Sequence, residues 1–108
     1  MYKKGDIVAI ASTDGTGLDK GIVIQADWFN IGGPPSYIIS LLSDEVYHEL
    51  DFRPVITPDK NNNLPTTLQT MVDKLQVVKC GQVLKKVGVV TDAQIAEING
   101  CIKAILGL

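Results

Sequence analysis

The chain has 108 residues, 45% of them hydrophobic and 20% charged, with a formal net charge of −2. That length predicts one compact domain over residues 1–108, with a core large enough to fold without a metal or disulfide staple. The charge excludes the general nucleic-acid attraction of a polybasic chain, no apolar run is long enough to span a bilayer, and two cysteines with one histidine are too few for a zinc site.

Met1-Tyr2-Lys3-Lys4-Gly5-Asp6 lacks the apolar stretch of a secretory leader, so a cytoplasmic protein is expected, with no membrane contact. Residues 5–12 (GDIVAIAS) are β-branched and bounded by turn residues, which predicts a first strand. Residues 13–20 (TDGTGLDK) make a loop on composition, and residues 21–26 (GIVIQA) a second strand in a hairpin with the first. Gly32-Gly33-Pro34-Pro35 breaks the chain, because proline gives no ladder donor and glycine opens the turn. Residues 37–43 (YIISLLS) are a near-continuous apolar run of strand length, as in a strand covered on both faces. Residues 44–50 (DEVYHEL) predict one or two helical turns, since Val46 and Leu50 stand four apart. Residues 52–57 predict a strand that Pro54 holds to a sheet edge. Asp59-Lys60-Asn61-Asn62-Asn63 is a hairpin tip, because asparagine accepts left-handed backbone. Residues 66–79 predict one long strand, bent or bulged near Asp73.

Thr91 and Gln94 then have capping-box spacing. Ile95, Ile98, Ile102, Ile105 and Leu106 recur at helical intervals, opposite Glu97, Asn99 and Lys103, and Gly107 suits the stop. Together the elements predict a mainly β fold: a small SH3-like antiparallel barrel of about five strands, with a C-terminal amphipathic helix lying on the sheet. Cys80 and Cys101 read as reduced, buried thiols, and neither a metal nor another cofactor is expected. Charge is uneven: residues 1–59 carry four Lys and Arg against nine Asp and Glu, and residues 60–108 carry six against three. A basic second half suits a phosphate-facing patch or a solvated lysine face equally well.

Four pieces of local sequence follow one another along nearly the whole chain. They are Lys4-Gly5-Asp6-Ile7-Val8; Gly21-Ile22-Val23-Ile24-Gln25 with Phe29-Asn30; Met71-Val72-Asp73-Lys74-Leu75; and Thr91-Asp92-Ala93-Gln94 leading to Ile105-Leu106-Gly107-Leu108. Their joint order resembles the MazF/PemK toxin family, the growth-inhibiting halves of bacterial toxin–antitoxin pairs, in a fold shared with CcdB. The resemblance implies a homodimer, an antitoxin with a disordered and often acidic tail, and metal-independent cleavage of single-stranded RNA. That reaction needs a base for the ribose 2′-hydroxyl proton, an acid for the leaving 5′-oxygen and a fixed cation near the phosphorane.

By that resemblance the site residues are Lys20, Ser43 and Asp73. Lys20 stands where the family has an arginine, and lysine gives charge without the planar fork that grips two phosphate oxygens. The loop glutamate of the family has no counterpart. Ser43, followed by Asp44, takes the place of a Thr-Ser pair ending the third strand. Asp73 keeps an acid of the later strand, with Met71 where some members have arginine. Each residue has a plain structural reading too: a solvated lysine, a serine ending a strand, a hydrogen-bonded acid, a core methionine. His48 and Arg53 match no family site position and are expected at the surface, Arg53 pointing outward beside Pro54. A second resemblance links Leu41-Leu42-Ser43-Asp44-Glu45-Val46, Glu49-Leu50 and Pro54-Val55 to the middle of CcdB, a gyrase poison. The Trp-Gly-Ile tail of CcdB is met here by Leu106-Gly107-Leu108. Beside the nuclease stand two other readings: a binding module of the same fold without the chemistry, taking RNA, antitoxin or another protein, and a gyrase poison.

Overall fold

A computed structural model of the protein describes residues 1–12 and 14–108. Thr13, first residue of the loop expected over residues 13–20, lies outside the described residues. The elements in order are β1 (Asp6–Ala11), β2 (Leu18–Val23), the one-turn helix α1 (Asp27–Asn30), β3 (Ser36–Ser43), β4 (Val55–Ile56), β5 (Leu68–Thr70), β6 (Gln76–Lys79), a 3-10 turn (Cys80–Gln82), β7 (Val83–Val89) and the helix α2 (Asp92–Leu106). The strands run β4-β5-β3-β2-β1-β7, every pair antiparallel, with β6 also paired to β3. The mainly β expectation holds, and the sheet curls into a half-barrel carrying α2, with seven strands rather than about five.

Alternation along the strands sorts the apolar side chains into two cores. Val8, Ile10, Val23, Tyr37, Ile39, Val78 and Val83 form one, and Ile7, Ile22, Ile56, Leu64, Leu68, Val72, Val90 and Ile98 the other. Neighbours Ile7 and Val8 thus enter different cores, so β1 is apolar throughout rather than alternating. The second core is closed by α2 through Ile95, Ile98, Cys101 and Ile102. Thr91 Oγ1 accepts from Gln94 N–H (3.1 Å), Gln94 Oε1 accepts from Thr91 N–H (2.8 Å), and Gly107 closes the helix with φ 71°, as the sequence predicts. Ile105 and Leu106, expected on the buried face, are exposed in the last turn.

Three expectations fail, and one strand goes unforeseen, for identifiable reasons. Strand β7 goes unforeseen because two one-residue bulges reset its alternation: Ile7 faces Gly88, Val8 faces Lys86 and Ile10 faces Val83, so Val87 and Leu84 are surplus. The long strand over residues 66–79 is broken at the expected bulge. Leu42 faces Thr70 but Ile39 faces Gln76, so residues 71–75 stand against only Ser40 and Leu41. No helix forms over residues 44–50, because the Gln69 side chain takes their backbone: its Oε1 accepts from Tyr47 N–H (2.8 Å), and its Nε2 donates to Tyr47 O and Arg53 O (3.0 Å each). The strand expected over residues 52–57 shrinks to β4, at the sheet edge that Pro54 implies.

The turn over residues 59–63 is fastened by buried Asn62, whose Nδ2 donates to Thr57 O (2.8 Å) while Oδ1 accepts from Leu64 N–H (3.0 Å). It lies hard against β7 at Gly88, where a Cβ would sit 2.4 Å from Asn62 O. Among the described residues no helix is long and apolar enough to cross a membrane.

Candidate functional site

Where β2 and β3 leave the second core, a groove of about 470 Å³ opens, lined by Leu18, Asp19, Lys20, Leu42, Ser43, Asp44, Pro65, Thr66, Leu68 and Met71. Lys20 gets there by strand periodicity. β2 begins at Leu18, three residues before the expected start, so Lys20 is a strand residue paired with Ala9 on the same face as core residue Ile22. Ahead of it the β1–β2 loop is folded on Asp14 Oδ1, which accepts from Ser12 Oγ (2.6 Å), Thr16 Oγ1 (2.5 Å) and Thr16 N–H (3.0 Å). The Ser12 and Thr16 bonds hold that carboxyl down at a pKa of about 2. The loop therefore delivers Lys20 from a closed hairpin instead of a loose strap.

Ser43 ends β3 directly across from Gln69. Its Oγ accepts from Glu45 N–H (3.1 Å), which leaves the hydroxyl proton for donation into the groove. Among the described residues the ion pairs within 4.0 Å are Arg53–Asp73 and Lys86–Asp6, so Lys20 brings an uncommitted cation, and Asp19 and Asp44 uncommitted carboxylates. An ammonium and a hydroxyl donor over an apolar floor can hold a phosphate, and a nearby carboxylate can carry a proton.

Lys20 and Ser43 thus come together, and Asp73 does not join them. Asp73 sits in the turn after Met71, where Arg53 donates to both its oxygens, Nε to Oδ1 at 2.7 Å and Nη2 to Oδ2 at 3.0 Å. The Arg53 guanidinium holds the Asp73 carboxyl below the usual carboxylate range, which weakens it as a proton acceptor. Arg53, expected to point outward, instead has a side chain only 11% exposed. Its guanidinium is drawn along the surface onto the bidentate Asp73 carboxylate instead of reaching out into solvent. His48 is exposed, as expected. Of the two cysteines expected to be buried, Cys80 is exposed and Cys101 half-buried, with its thiol pKa pushed up by burial and then by Glu97 and Asp51. Among the described residues no group of three or more His, Cys, Asp or Glu could hold a metal ion.

Sequence reasoning passed over Asp19, Thr66 and the groove-facing role of Met71. The periodicity of residues 18–22 carried part of the signal, since Leu18, Lys20 and Ile22 share a face. Pro65 and Thr66 arrive from a distant turn, which nothing local announces.

The fold is similar to several solved structures. An endoribonuclease in complex with its cognate antitoxin, from a mycobacterial species, gives a TM-score of 0.83 at 16% identity, over 100% of this chain and 97% of that one. The Mycobacterium tuberculosis toxin MazF-mt6 gives 0.79 at 14% identity, over 95% and 97%. A MazE-MazF structure from Deinococcus radiodurans gives 0.78 at 13% identity, over 99% and 97%. Identities this low speak for the fold. No curated protein matches the chain. At the level of sequence, residues 3–106 match the family described as PemK-like, MazF-like toxin of type II toxin-antitoxin system. With barrel, terminal helix and all but four residues accounted for, the chain belongs to that toxin family.

Proposed function

We propose that this toxin-family protein cuts single-stranded RNA in the cytoplasm, and that the groove over β2 and β3 is where it does so. The observation that carries the reading is the convergence on one open groove of Lys20 and Ser43, the two residues that the family resemblance assigns to the site, each with its donor free. The Lys20 ammonium lies against the scissile phosphate and the Ser43 hydroxyl donates to a non-bridging oxygen, so charge gathering on the phosphorane meets donors already in place. A groove carboxylate, Asp44 or Asp19, accepts the 2′-hydroxyl proton as the 2′-oxygen bonds to phosphorus. As the phosphorus–5′-oxygen bond breaks, the 5′-oxygen takes a proton from the Lys20 ammonium, which the newly protonated groove carboxyl restores, giving a 2′,3′-cyclic phosphate and a 5′-hydroxyl end. Asp73, held by Arg53 and outside the groove lining, is not the base.

The reading extends to partners. The solved relative described as an endoribonuclease with its cognate antitoxin supports an antitoxin partner for this chain, and the family resemblance supports a disordered tail on that antitoxin and a homodimer.

Purified protein incubated with long single-stranded RNA and EDTA is the test. Discrete fragments with 5′-hydroxyl ends are expected, with cleavage down about a hundredfold in Lys20→Ala and about tenfold in Ser43→Ala. Intact RNA together with unimpaired growth on expression would sink the reading. One feature favours the binding module instead: the groove sets a single cation against two carboxylates, and Arg53 is spent on Asp73. That alternative gains if RNA is bound but remains whole.

A further inference from the structure

Asp19 borders two openings at once. It lines the groove that holds Lys20, and it lines a second, smaller pocket on the other face of the sheet. Strand alternation explains this, since Asp19 pairs with Ile10 of β1 and shares the face of the core that holds Ile10, Ile39 and Val78. Ile10, Leu41 and Val78 floor the second pocket, and Asp19, Gln76 and Gln82 stand around it. Gln76 opens β6 across from Ile39, and Gln82 ends the 3-10 turn just before Val83, the partner of Ile10 in β7. Three polar side chains thus reach one small pocket from three different elements.

Those three are uncommitted. Gln25, Gln69 and Gln94 spend their side-chain amides inside the fold, whereas those of Gln76 and Gln82 bond nothing among the described residues. Asp19 takes part in neither ion pair found among them. A carboxylate with no cation beside it repels a phosphate and calls for an uncharged donor.

We propose that this pocket holds the nucleobase next to the scissile phosphate and selects cytosine, with Asp19 as acceptor and Gln76 and Gln82 as donors. The inference rests on the reading of the groove as the place where RNA lies. Cytosine offers its N4 amine, a group that acidic side chains accept from in nucleic-acid complexes. Its N3 and O2 accept from the two amides, while the apolar floor covers a ring face. Uracil sets O4 where that amine stands, so a carbonyl meets the Asp19 oxygens with no proton between them. Size points the same way: the pocket is about 90 Å³ against about 470 Å³ for the groove, which suits a single ring over a fused pair. Asp19 engaged here leaves Asp44 to take the 2′-hydroxyl proton.

The probe is a short fluorescent oligouridylate with one central cytidine, beside the same oligomer carrying uridine, adenosine or guanosine at that place. Binding is read by anisotropy, and cleavage by the position of the cut. The cytidine oligomer should bind about tenfold more tightly than the all-uridine one and be cut beside the cytidine. Asp19→Asn should bring those two affinities to within about twofold, because an amide gives its N–H to O4 as readily as its oxygen accepts from N4. Gln82→Ala should weaken cytidine binding about threefold, and Asp44→Asn should slow the cut while keeping the preference. Asp19 and Asp44 are exposed and Gln82 half-buried, so these variants keep the fold. Equal affinity for cytidine and uridine, a preference for a purine, a preference that survives Asp19→Asn, or no binding by any oligomer overturns the proposal. Cytidine-selective binding without cleavage supports the pocket and sinks the nuclease reading; cleavage indifferent to the base does the reverse.

Discussion

Arg53 and Asp73 come from segments twenty residues apart, and neither alone announces the other. Their two bonds pin the end of the β3–β4 connection to the turn between β5 and β6, with side chains 11% and 26% exposed. Asp73→Asn should cost about 1–2 kcal/mol in a urea titration, since a bidentate charged pair becomes a weaker neutral one. The pH dependence has a definite sign. Arg53 lowers the Asp73 pKa from its ordinary 3.8, so the pair contributes fully above that value and loses its contribution as pH falls through the lowered one. Wild type and Asp73→Asn should therefore converge in stability in acid and separate on the way to neutral; a gap that widens on acidification would contradict the assignment. Lys20 offers the converse test. Replacing it with arginine should raise RNA cleavage several-fold, because a planar fork engages two phosphate oxygens where an ammonium engages one.

At the scale of elements, sequence was most legible where one periodicity ran undisturbed. Residues 92–106 announced α2, cap and stop included, because the apolar stripe and the capping box agree. β1 and β3 were equally open to reading. β7 was not, since its two bulges shift alternate residues across the sheet, and residues 44–50 were misread because a side chain from β5 occupies their backbone. Of the candidate site, Ser43 was read at a strand end and Lys20 in a loop that proves to be the start of β2, and both entered the site only through the family resemblance. The fate of Asp73 depended on an arginine whose partner only the tertiary fold supplies. Glycine offers a matched pair of tests. Gly88→Ala puts a methyl 2.4 Å from Asn62 O in a turn that cannot retreat, and should cost about 2–3 kcal/mol. Gly100→Ala meets nothing within 4 Å in the middle of α2 and should stabilise by about 0.5–1 kcal/mol. Thermal melts of the two variants should move in opposite directions.

For the whole molecule, the two cores divide the work. One holds the curled sheet together, and the other fastens α2, β4, β5 and the chain at Leu64 to it. Ile98 is fully buried in the latter, so Ile98→Ala should cost about 2–5 kcal/mol, read from denaturant midpoints. The groove with Lys20 and Ser43 lies at the margin of this second core, sharing Leu68 and Leu42 with it. A substitution that loosens the core should therefore weaken substrate handling before the sheet itself unfolds.

Residues 71–75 face only two residues of β3. Three residues of excess length keep β5 and β6 from merging into one rod along their neighbour, and Met71 at the start of that slack lines the groove. Trimming the excess would let the two segments zip up and leave a sound barrel with nowhere to work. Lengthening it would spread the mouth. The reach of one short connector, adjustable a residue at a time without touching either core, is thus the dimension along which a scaffold of this kind can be fitted to a new substrate.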